Sequence, residues 1–248
     1  MKFHEMTSGA IGAIDRKQTV VLFPIAAVEQ HGPHLPTGTD LIICGAVAEA
    51  VEARNPEKVL MLPVNWLGAS AHHLRFGATM TAEMDTYIAT LCEMARAPLE
   101  DGFQRILFLN GHGGNIDPMK IALRELQLEF PEAILSGASY WSIAEAVIAN
   151  GLEGEDKGVG HACEFETSMI QHLRPELVDE PHRAHAGPWL PDGVEGLFIS
   201  RDMKQRTQAG CTGRPDLATP EKGASMFVGI VERVGIAVEA ILAEPLPD

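Results

Sequence analysis

Short apolar runs alternate along this chain with stretches of helical spacing, and that alternation constrains the fold more tightly than any other feature. The runs "VVLFPIAA" (20–27), "VLMLPV" (59–64), "RILFLNG" (105–111) and "AILSGASYW" (133–141) are bounded by turn formers. They predict strands buried on both faces. Residues 40–54, 82–102 and 115–130 space Ala, Leu, Ile and Met as helices do, and 160–173 and 220–244 predict two further helices. Asn115 and Asp117 stand where an N-cap is wanted, and Pro118 suits a first turn. Such alternation predicts an α/β fold with a mostly parallel sheet covered by helices on both sides. Residues 174–219 break the pattern, being rich in Pro, Gly, His and Asp with little periodicity. They predict an irregular excursion that covers a site or a subunit contact. At 248 residues and 46% hydrophobic, the chain predicts one domain over 1–248 with a sizeable core.

A formal net charge of −15 argues against nucleic acid or an anionic membrane as partner. Cys44, Cys92, Cys163 and Cys211 lie far apart with no CxxC pair. That disfavours a disulfide framework or a cysteine zinc site, and fits a reducing compartment. The opening "MKFHEMTSGAIGAIDRK" has no apolar core of a signal peptide, and no run is long enough to span a membrane. A cytoplasmic protein acting on a small molecule is the expectation.

In open α/β sheets ligands bind beyond the carboxyl ends of the strands. "VEQHGPHLPTGTD" (28–40) begins where the first predicted strand stops, so Glu29, His31, His34 and Asp40 fall at that edge. "NGHGGN" (110–115) follows the third strand and brings His112 there too, its glycines permitting a tight turn. In "HACEFETS" (161–168), helical spacing puts His161 and Glu164 on one face and points Glu166 elsewhere. Singly, each has a plainer reading: a hydrogen-bonded structural histidine, Asp40 as a helix cap, "NGHGGN" as a phosphate cradle. Their coincidence at one sheet edge favours a shared metal site of imidazole and carboxylate, suited to Zn²⁺, Mn²⁺ or Fe²⁺. Two ions about 3.5–4 Å apart can share a water, lower its pKa and polarise a carbonyl, which makes a hydrolase without a Ser or Cys nucleophile. His34 reads as a supporting residue, and Cys163, beside a carboxylate, as packing. The GxSxG elbow, the dinucleotide fingerprint and the GK[ST] loop are all missing. Phosphate-ester hydrolysis would want more cations than Arg75 and Arg214 near the motifs.

These motifs, in this order, resemble the creatininase family of metal-dependent amidohydrolases. "EQHGPHLPTGTD" resembles its first metal-binding segment, "NGHGGN" its second and "HACEFETS" its HAGExETS signature; "HHLRFGAT" (72–79) and "DLATPEKG" (216–223) resemble two weaker elements. The resemblance implies a three-layer α/β/α sandwich with a binuclear site, often in a hexamer. It implies Glu29, Asp40 and His112 around one ion and His31, Asp40 and a further Glu around the other, with Asp40 bridging. Creatinine-hydrolysing members supply that Glu from the second motif, where this chain has Gly114, so Glu164 is the expected substitute and Glu166 a supporting group. His161 matches a proton-shuttling residue, and His73 and Trp141 are expected to touch substrate. Lys157 stands where creatinine-hydrolysing members have Trp, and the F-P-G-T element has become Phe76-Gly77-Ala78-Thr79, which speaks against creatinine as the substrate. The expected activity is hydrolysis of a C–N bond in a cyclic amide, lactam or other small polar amide by a hydroxide shared between two Zn²⁺ or Mn²⁺ ions. Formamide deformylation, trimming of a cofactor-precursor peptide and hydrolysis of cyclic polyol ketones are the family alternatives. A metal-stabilised binding subunit without turnover is the competing class.

Overall fold

The structure, a computed structural model, describes residues 1–187 and 196–247. Val20–Ile25 (β1), Val59–Met61 (β2), Arg105–Asn110 (β3) and Ile134–Ser139 (β4) form one parallel sheet in the order β2-β1-β3-β4. The register pairs Leu22 with both Met61 and Leu107, and Leu107 with Ser136. Thr39–Arg54 (α1), Met84–Glu100 (α2) and Ile116–Glu129 (α3) connect successive strands. Glu164–Leu173 (α4) and Pro220–Ala243 (α5) follow the sheet.

Alternation of side chains along each strand makes the two cores. Val20 and Leu22 of β1, with Leu107 and Leu109 of β3, pack with Ile43, Val47, Phe165, Met169, Ile230 and Val234 from α1, α4 and α5. Val21, Phe23 and Ile25, with Ile106 and Phe108, pack on the other face with Tyr87, Leu91, Ala95, Met119 and Leu126 from α2 and α3. The result is the expected α/β/α sandwich. All six residues of β1 and of β3 are buried, the polar end residues Arg105 and Asn110 included. Five of the six in the edge strand β4 are only half-buried, so burial on both faces holds for the inner strands and not for β4.

Three local expectations change. Asn115 occupies the N-cap of α3 without capping it; its side chain instead accepts from the Ala69 amide at 2.9 Å and donates to the Ala26 carbonyl at 3.1 Å. That tertiary use outweighs one cap bond because it ties two loops of the site together. The strand predicted over 133–141 stops at Ser139, and Trp141 lies in a short helix, Tyr140–Ile143. The helix predicted from 160 begins only at Glu164, because Ala162 adopts a left-handed φ of 47°.

The described part of 174–219 carries short turns and a helix, Met203–Arg206, closed by a capping box at Asp202. Arg75 donates to Asp202 at 2.7 Å and the Lys204 ammonium sits 3.7 Å over the Phe76 ring, fastening this segment to residues 71–76. Residues 188–195 of the expected excursion lie outside the described residues. Among the described residues no helix is long and apolar enough to cross a membrane.

Candidate metal centre

The loop after β1 is closed by a hydrogen bond from the Glu29 amide to the Thr37 carbonyl at 2.9 Å, and Asp40 follows in the first turn of α1. Beyond β3, the Asn110 side chain accepts from the His112 amide at 3.0 Å and donates to the His112 carbonyl at 2.7 Å, fixing that turn. Gly114 belongs to the same turn, and a Cβ there would lie 2.1 Å from the Ala69 carbonyl oxygen. No side chain fits, so a Glu could not be supplied from this position.

Glu29, His31, Asp40, His112, His161 and Glu166 converge, each at most 7% exposed. Three sets of ligand atoms lie close enough to share an ion: Glu29 with Asp40 and His112, His31 with Asp40 and Glu166, and Glu29 with His31 and His161. Asp40 is common to the first two, with Oδ1 3.1 Å from His31 Nε2 and Oδ2 3.1 Å from His112 Nδ1.

The outer nitrogen of each imidazole is committed to a backbone carbonyl. His31 Nδ1 donates to Glu29 O at 3.1 Å, His112 Nε2 to Ala69 O at 3.2 Å, and His161 Nε2 to Gln30 O at 2.7 Å. A carbonyl can only accept, so in the neutral rings the lone pair is on the inner nitrogen and faces the carboxylates. Such an arrangement is repulsive unless a proton or a cation lies between. In the protein alone, protons do this: burial opposes charge on His31, but Asp40 and Glu166 outweigh it and raise its pKa well above the ordinary value. Likewise burial opposes charge on His112, yet Glu29 and Asp40 push its pKa up to about 10. Burial also works against ionisation of Asp40, but the two imidazoles hold its carboxyl well below the usual range.

Glu29 Oε2 and Glu166 Oε2 are buried without a hydrogen-bond partner. Leaving such atoms unsatisfied costs on the order of 1–3 kcal/mol each, more when charged. Two orphaned carboxylate oxygens, beside imidazole nitrogens that face the same carboxylates, are what a cation-binding site requires. The residues fit divalent metal.

Glu164 departs from expectation. Its carboxylate turns away from the cluster and accepts from the Glu153 amide at 3.0 Å, the Gly154 amide at 2.8 Å and Lys222 Nζ at 2.7 Å. Glu166 stands in its place, Oε1 3.8 Å from His31 Nε2. The helical-face argument failed because residues 161–163 precede the helix, so the three-residue spacing from His161 does not put Glu164 on its face. His34 Nε2 contacts Thr167 Oγ1 at 2.9 Å, a supporting position.

A cavity of about 600 Å³ opens over the cluster, lined also by His72, His73, Trp141, Lys157, His185 and Arg214. Trp141 meets Tyr140 edge-on at 5.1 Å, and Lys157 Nζ donates to the Leu152 carbonyl at 2.6 Å. His73 borders the cavity but is 2% exposed, with Nε2 3.2 Å from Glu29 Oε1. His72, which carried only a weak signal by itself, is stacked on His112 at 5.7 Å, and Gln30, unassigned from the sequence, has its side chain between His73 and His161. Gln30 had a signal: it sits between two ligands in the stiff loop.

The creatininase family model, described as creatinine amidohydrolase, matches residues 4–238. The chain is 32% identical over 221 residues to a mycofactocin precursor peptide peptidase of Mycobacterium ulcerans (strain Agy99), covering 86% of this chain and 81% of that protein. Among solved structures, a creatininase designated Mn superposes with a TM-score of 0.81 at 25% identity, covering 98% of this chain and 99% of that one. A mutant creatininase of Zn-Zn type superposes with a TM-score of 0.83 at 24% identity, covering 98% of each chain. Matched along nearly its whole length, this chain belongs to the creatininase family of metal-dependent amidohydrolases.

Proposed function

We propose that the protein is a two-metal amide hydrolase whose substrate is a short peptide or peptide-like amide. Glu29, Asp40 and His112 would hold one divalent ion, and His31, Asp40 and Glu166 the other, with Asp40 shared. Zn²⁺ and Mn²⁺ both suit this donor set. Bound there, the ions would polarise the amide carbonyl and lower the pKa of water enough for attack at neutral pH. The observation that carries the reading is the set of inward-facing imidazole nitrogens around Asp40, beside the two orphaned carboxylate oxygens of Glu29 and Glu166.

His161 would move the proton. With Nε2–H held by the Gln30 carbonyl, Nδ1 faces the centre, 3.8 Å from Glu29 Oε1, and is free to take a proton from the attacking water and return it to the departing nitrogen. His31 and burial keep this imidazole neutral, burial being the larger influence. Trp141 and Lys157 on the cavity wall would contact the remainder of the substrate.

Two observations favour a peptide over a creatinine-sized ring. The cavity of about 600 Å³ is in the range of drug-sized ligands, and the 32% identical relative is named a precursor peptide peptidase. Trp141 on the cavity wall supports a second reading, a flat cyclic amide. The test is metal-depleted protein reloaded with Zn²⁺ or Mn²⁺ and offered short peptides, lactams and formamides. Peptide cleavage that returns with metal supports the first reading, lactam opening alone supports the second, and no hydrolysis of any with the sites loaded would sink both. The family resemblance also implies a homo-oligomer such as a hexamer, and four cysteines without a disulfide suit a reducing compartment such as the cytoplasm. Light scattering giving the 26.8 kDa mass of one chain would end the oligomer part.

A further inference from the structure

His73 touches the cavity, yet neither ring nitrogen is left for a substrate. Nδ1 lies 2.9 Å from Gln30 Nε2, and Nε2 lies 3.2 Å from Glu29 Oε1. The orientation of the Gln30 amide is set independently, because its Oε1 accepts from the Gly32 amide at 3.0 Å. The amide nitrogen therefore faces His73 and can only donate to Nδ1, which puts the single proton of the neutral ring on Nε2, against Glu29. Gly210, at a φ of 76°, leaves the room that Gln30 needs: a Cβ there would come within 2.5 Å of Gln30 Oε1.

We propose that His73 is a positioning residue for the metal centre: backed by Gln30, it holds the Glu29 carboxylate in the orientation that metal binding needs, and it does not bind substrate. The inference rests on the two-metal reading. Without His73 the Glu29 carboxylate, orphaned at Oε2, would have rotamer freedom to lose on binding an ion. Partners of this kind behind a metal ligand are worth about 10- to 100-fold in affinity.

The experiment measures zinc affinity by competition with a chromophoric chelator for the wild-type protein, His73→Ala and His73→Gln. The amide nitrogen of Gln can reach the place of ring Nε2 and restore a donor to Glu29. His73→Ala should weaken zinc binding by about 10- to 100-fold, with His73→Gln recovering most of the loss. Unchanged affinity in His73→Ala overturns the positioning role while leaving the metal centre intact. A wild-type protein that binds no zinc brings down the metal reading and this inference with it. Should circular dichroism show His73→Ala unfolded, nitrogen-15 NMR of the wild-type imidazoles decides. A proton on Nε2 of His73 supports the proposal, and one on Nδ1 overturns it.

Discussion

Asp40 carries the greatest burden of any single side chain, because its two oxygens face two different imidazoles at 3.1 Å each. Asp40→Ala is therefore expected to empty both metal positions, as read by elemental analysis of the purified protein; full metal content would remove the bridging role. Glu166→Gln should release one ion and leave the other, since Glu166 neighbours only the His31–Asp40 position. His161→Ala should retain metal and lose hydrolysis by about 10²- to 10⁴-fold, the ordinary size of a general acid–base contribution. Loss of metal instead would make His161 a ligand, as its place in a third cluster with Glu29 and His31 permits.

At the level of elements, the short link between Gly160 and α4 decides which glutamate reaches the centre. Ala162 reverses the chain with φ at 47°, so that Glu166 falls inward and Glu164 outward. Outward, Glu164 joins the start of α4 to residues 153–154 on the cavity wall and, through Lys222, to the first turn of α5. Burial opposes ionisation of Glu164, but Lys222 and the two amides outweigh it and hold its pKa below the ordinary carboxylate value. A depressed acid contributes stability above its unfolded pKa, and this clamp is lost as pH falls from that value through the lower folded one. Glu164→Gln is expected to keep full metal content while lowering unfolding free energy by roughly 1–3 kcal/mol in urea titrations at neutral pH. Metal loss in that variant would restore the ligand role that helical spacing suggested.

Across the whole molecule, one parallel sheet supports both cores, and the segment after α4 folds back over its carboxyl edge. The Arg75–Asp202 pair and the Lys204–Phe76 contact fasten that cover, while Met203, Thr212 and Arg214 form part of the cavity wall. Helices cover both faces of β1 and β3, so the two cores are built on the same strands. Residues 1–248 are expected to unfold as a single cooperative unit, with fluorescence and circular dichroism transitions coinciding; separated midpoints would indicate two units.

Much of this architecture was legible from residue order alone. The strand–helix alternation and the unbroken apolar runs determined a parallel sheet whose inner strands are buried on both faces, because only such burial makes a continuous hydrophobic run favourable; the edge strand β4 is only half-buried. Strand ends then located Glu29, His31, Asp40 and His112 at one edge, because a parallel sheet brings the carboxyl ends of its strands together. What the residue order left open were orientations set by contacts distant in sequence. Asn115 spends its side chain on Ala26 and Ala69 rather than on its helix, and Gln30 takes both oxygen and nitrogen of its amide into fixed bonds. The choice between Glu164 and Glu166 belonged to tertiary structure as well. It turned on one backbone dihedral at Ala162, and helical periodicity says nothing about residues that precede the first turn.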